Sequence, residues 1–150
     1  MASVLLSSTL FTIAGLIVTI VLGFRADAAH AATHILVSMA TVVVGLFSQS
    51  MTMFFFIGTG KELKEKANND VEVVRRTRGY KSKVFPAAMW ALAFVMITFI
   101  MGGGVKSGRT PVWLHDVLAF TTLLTFARAY YIELRAMEDN ARLMERYLAD

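Results

Sequence analysis

Residues 28–57 read AAHAATHILVSMATVVVGLFSQSMTMFFFI, with no Asp, Glu, Lys or Arg anywhere in the run. About 20 mostly apolar residues are enough to cross a bilayer as a helix. The stretch therefore predicts a membrane span, and three more flank it. Val4 to Phe24 carries no charge, nor does Val84 to Val105. The last begins after Pro111, is apolar to Phe126 and continues as Ala127-Arg128-Ala129-Tyr130-Tyr131. None of the four alternates with the period of a barrel strand. The expected fold class is an all-α membrane protein, a single domain built as a four-transmembrane-helix bundle. Its helices are expected at about 4–24, 28–57, 84–105 and 111–149, with a polar loop over 58–83.

Composition agrees. Of the 150 residues, 56% are hydrophobic and 17% charged, and mean hydropathy is +0.57. Soluble domains average about a quarter charged. There is no cysteine, which excludes a disulfide scaffold, a thiolate metal site and a Cys nucleophile. Ala26-Asp27-Ala28 and Ala29-His30-Ala31 loosely resemble signal-peptide cleavage sites. The residues before the first apolar run lack Lys and Arg, however, so it reads as a retained span.

Basic residues set the expected orientation. Loop 58–83 and the C-terminal segment together hold twelve of the 15 Lys and Arg. Arg25, Lys106 and Arg109 lie on the other side. This places a multi-pass protein in the inner (cytoplasmic) membrane with both termini cytoplasmic. The basic loop has no aromatic or motif signature of nucleic-acid binding, so none is expected. Its expected partner is the lipid surface.

Gly58-Thr59-Gly60 reads as a stop for the second helix, Asn68-Asn69-Asp70 as a break, and Gly102-Gly103-Gly104 as the end of the third helix. No breaker intervenes between Pro111 and Asp150, so the fourth helix is expected to continue beyond the membrane. Leu134, Met137, Ala141, Met144 and Leu148 give it an a/d seam of two heptads. That seam, over 134–148, would pack on the chain's own loop, on a second copy or on other membrane subunits.

Nearly every polar residue of the second span shares one face, Thr33 and Ser50 excepted. Asp27, His30, Ser38, Thr41, Gly45, Ser48, Gln49 and Thr52 all fall within about 60° of His34 at helical period. Polar groups avoid lipid, so this stripe faces other helices, a cofactor or a water path. The chain has three histidines, and topology brings His30, His34 and His115 to one half of the bundle. Arg128 and Glu133 sit at the other end of the fourth span. They are read as snorkelling or pairing at the interface, with a proton or quinone site as the lesser reading.

Three readings compete for the histidines. Two imidazoles from facing helices hold a b-type heme, which here means His34 and His115 with Gly45 and Ala119 making room. Alternatively Asp27, His30, His34 and His115 bind a transition metal such as Zn, Cu or Fe. In the third, the histidines are interfacial residues without a ligand. In size, topology and histidine placement the chain resembles small four-helix membrane subunits of electron-transfer complexes. That resemblance implies an electron-transfer subunit of a larger complex rather than a self-contained enzyme. The competing expectation is a non-catalytic structural or assembly subunit.

Overall fold

The computed structural model describes residues 1–26 and 30–148. Four helices follow one another: α1 (Ala2–Phe24), α2 (Ala31–Lys66), α3 (Val71–Lys106) and α4 (Val112–Leu148). All four are long and apolar enough to cross a membrane. At 1.5 Å per residue even α1 spans about 35 Å, more than the roughly 30 Å of hydrocarbon in a bilayer.

Burial is inverted relative to a soluble bundle. Phe11, Phe47, Phe54, Ile100, Trp113 and Leu124 face outward, while Thr9, Thr12, Ser48, Gln49, Thr52 and Glu133 are buried. With no hydrophobic drive between helices in lipid, small and polar residues go inside and bulky apolar ones face the acyl chains. The chain is a multi-pass membrane protein by this pattern.

Two expected boundaries were hydropathy boundaries, not helix boundaries. Residues 58–66 belong to α2 and 71–83 to α3, leaving only 67–70 as a turn. Gly58 and Gly60 do not stop α2, although each glycine costs about 1 kcal/mol in a helix interior. Leu63, further along, is wholly buried against Phe56, Val73 and Tyr80. Burying one such side chain is worth about 1.5–3 kcal/mol, enough to offset a glycine. Gly60 also serves the packing, since a Cβ there would stand 3.3 Å from Lys81 Cε on α3.

Asn68-Asn69-Asp70 does break the chain. Asn68 and Asn69 take positive φ, 47° and 57°, a conformation Asn tolerates better than most residues. Asp70 then caps α3 by accepting from Glu72 N (2.8 Å) and Val73 N (3.2 Å). Gly102-Gly103-Gly104 lies within α3, which runs on to Lys106 before turning at Gly108 (φ 72°).

Helix α4 continues unbroken past the apolar run, as expected, but its inner face is offset from the expected seam. Leu134 is 39% exposed and Ala141 is exposed. The buried positions are Glu133, Ala136, Met137, Asn140 and Leu143. Met137 and Leu143 join Phe56, Leu63, Val73, Tyr80 and Val84 in one cluster, with Met144 against its edge. The extension therefore packs on the chain's own α2–α3 hairpin.

Around the bundle the order is α1, α2, α3, α4, and α2 and α4 also touch across the diagonal. Among the described residues α1 and α3 do not meet. Residue identity shows no internal repeat, yet burial repeats in constant register. Thr9, Thr12, Leu16 and Gly23 of α1 correspond to Ala88, Ala91, Val95 and Gly102 of α3. His34, Thr41, Gly45, Ser48, Thr52 and Phe56 of α2 correspond to His115, Thr122, Phe126, Ala129, Glu133 and Met137 of α4. The two hairpins thus correspond as halves, α1 with α3 and α2 with α4, and α2 and α4 meet across the bundle. Layers stack along the bundle. A Cβ on Gly45 would stand 3.1 Å from Phe126 Cζ, and further down Asn140 Nδ2 donates to Thr59 Oγ1 (3.3 Å).

Candidate functional site

The end of the bundle that holds the 25–30 and 107–111 turns encloses a cavity of about 720 Å³. All four helices line it. Its floor includes Leu16, Val42 and Val95, and Thr41 and Thr122 stand at the same level. The Gly45–Phe126 layer lies beneath. Its mouth includes Ala26, Lys106 and Val112.

His34 and His115 both line this cavity, each about one turn into its helix. They are corresponding residues of the two halves. Each ring is backed by a glycine on the neighbouring helix of its own hairpin. A Cβ on Gly23 of α1 would stand 3.3 Å from His34 Cε1. On Gly102 of α3 it would stand 3.0 Å from His115 Cε1. In both rings, Nδ1 is buried with no hydrogen-bond partner. Ser38 Oγ donates to the His34 carbonyl (2.7 Å), and the Thr98 and Thr122 hydroxyls share a hydrogen bond (2.7 Å).

The remaining expected site residues divide. Ala119 lines the cavity with the histidines. Gly45 does not; its missing side chain is taken up by Thr12 Cγ2 and Phe126. Helical rotation placed it on the correct face of α2 but not at the correct depth. His30 is the exposed N-cap of α2 and lies outside the cavity lining. Asp27 lies outside the described residues. Among the described residues no three His, Asp or Glu side chains come together to hold a metal ion. Sequence reasoning missed Gly23 and Gly102. Their signal was faint, a glycine near the end of each odd-numbered helix, opposite a histidine near the start of the next.

A second polar group lies deeper, on the other side of the Phe126 layer. Glu133, expected at the interface, is instead 0% exposed. Thr9 Oγ1 donates to Glu133 Oε2 (3.3 Å), Thr9 and Ser48 share a hydroxyl hydrogen bond (2.7 Å), and Gln49 Nε2 donates to Thr9 (3.5 Å). Arg128 does not join them. It lies with Lys83, Pro86 and Trp90 along an outer dent between α3 and α4.

No protein-family model matches this chain, and neither a curated protein nor a solved structure is similar to it. The site must be read from its own chemistry.

Proposed function

We propose that the chain is an integral membrane electron-transfer subunit that holds a b-type heme between α2 and α4. The observation that carries this reading is the matched pair His34 and His115, lining one cavity from opposite halves, each with an unpartnered ring nitrogen. Buried polar atoms normally find partners, so two orphaned nitrogens in one cavity imply a ligand that takes nitrogen donors. The volume falls within the roughly 300–1,000 Å³ of cofactor sites. Its walls are mainly apolar, as a macrocycle requires.

In this reading His34 and His115 would hold the heme iron through their imidazoles. The bound iron would accept and give up one electron at a time, at a potential set by its ligands and surroundings. Gly23 and Gly102 let the rings stand back against α1 and α3. Lys106, at the mouth, would be available to pair with an anionic group of the cofactor. Leu16, Val42 and Val95 exclude water from the inner end. Lysine and arginine asymmetry supports cytoplasmic termini, which puts the heme toward the outer face of the inner membrane. One cofactor near one face implies that a further carrier completes any transmembrane path, hence a larger complex.

The test is a visible spectrum of protein purified from heme-replete cells, oxidised and then reduced with dithionite. A Soret band with sharp α and β bands on reduction is expected. His34→Ala or His115→Ala should abolish it and His30→Ala should retain it. A featureless spectrum, or full bands in His115→Ala, overturns the assignment.

A further inference from the structure

We propose that Glu133 is a proton-binding site in the interior of the bundle, with its carboxyl carrying a hydrogen there rather than a charge. Glu133 and Gln49 are both 0% exposed. Gln49 Nε2 and Glu133 Oε2 both reach Thr9 Oγ1, at 3.5 Å and 3.3 Å. Yet Glu133 Oε1 and Gln49 Oε1 are buried without partners. An ionised carboxylate and an amide oxygen only accept hydrogen bonds. The buried Thr52 hydroxyl, on the same face of α2 as Gln49, also lacks a partner. A hydrogen on the Glu133 carboxyl would let Glu133 donate to this group as well as accept from it.

Among the described residues no basic side chain pairs with Glu133. From α1 come Thr9 and Thr12, and from α2 come Ser48, Gln49 and Thr52, none of them charged. Helix α3 contributes Val84, Ala87, Ala88 and Ala91 to the core. Tyr80, the titratable residue of that buried face, packs with Phe56 and Met137. On α4 itself, Arg128 lines the outer dent and Arg135 stacks on Tyr131, 4.6 Å from its ring centre. An intramembrane carboxyl without a cation is expensive unless neutral, and such residues are functional candidates. Neither the cavity above nor the outer dent is lined by Glu133, Gln49 or Thr52.

The repeat shows that the fold does not require an acid at this position. The counterpart of Glu133 in the first half is Thr52, equally buried. One half closes the layer with a threonine and the other with a carboxyl, so the carboxyl is an addition to the architecture. The inference does not rest on the heme reading, because the Gly45–Phe126 layer separates the two sites.

Two measurements decide it. The infrared spectrum of the protein in lipid bilayers at neutral pH should contain a carboxylic-acid carbonyl band that is absent from Glu133→Gln and Glu133→Thr. Loss of a carboxylate band instead would overturn the proposal. The second measurement uses the unsubstituted chain and so needs no variant to fold. Dicyclohexylcarbodiimide, which reacts with protonated carboxyls in apolar surroundings, should label the Glu133 peptide as read by mass spectrometry. Labelling unchanged by sodium or potassium supports a proton site. Protection by either ion at fixed pH identifies a metal-cation site and overturns it, as does absence of label from that peptide.

Discussion

Two glycines decide whether the histidine pair has room. A Cβ at Gly102 would press on the His115 ring at 3.0 Å, closer than nearly all real Cβ contacts. On the proposed heme reading, Gly102→Val should therefore tilt His115 and weaken heme retention at least tenfold, while the chain still inserts and purifies as one species. Absorbance per polypeptide checks the first outcome and size-exclusion chromatography the second. Gly103→Val meets nothing within 4 Å and serves as the control, with an unchanged spectrum. That His34 turns inward was legible from the polar stripe of α2, and that His115 lies at the same end was legible from topology. Gly23 and Gly102 were not, because what distinguishes them is a ring on the adjacent helix. Gly45 was assigned to the wrong neighbour for the same reason. Sequence gives the face of a helix, whereas its neighbour Phe126 belongs to tertiary packing.

Across whole elements, the misread pieces share one cause. The apolar runs end near Ile57 and begin again at Val84, but the helices do not, since water and headgroups end hydropathy without ending hydrogen bonding. Leu63 and Met137 hold the extension together beyond those limits. Leu63→Ala should destabilise the protein by about 2–5 kcal/mol. Met137→Asp should be worse, because it buries an unpaired charge. Thermal melting in detergent, read by loss of the monodisperse peak, measures both. Asp70→Ala removes the α3 cap and should cost about 1 kcal/mol by the same assay. The α4 seam was read askew because its true inner face includes Glu133 and Asn140. A search for apolar residues at heptad spacing rotates away from polar ones. With that face buried against α2 and α3, Met137 and Met144 of the expected seam pack within the chain.

For the molecule as a whole, the four spans and their order could be read from hydropathy alone. The correspondence of the two halves could not, because it lives in burial and not in identity. Thr12 stands where Ala91 does, and Thr52 where Glu133 does. The correspondence makes a direct prediction. Residues 1–67 and 70–150, coexpressed as separate chains, should associate in the membrane and recover the absorbance of the intact protein. Each half alone supplies a single histidine to the cavity and should remain colourless. If the pair fails to associate although both halves insert, the turn does more than connect them.

The mismatches between halves have a consequence of their own. A homodimer of the first hairpin would set Gly45 against Gly45 and leave a void. A homodimer of the second would drive Phe126 into Phe126 and bring two Glu133 carboxyls together. Only the mixed pairing matches a ring to a hollow and an acid to a hydroxyl. The unlike layers work as a key and lock cut into one polypeptide, steering each hairpin toward its sister and away from copies of itself while the membrane is crowded with both.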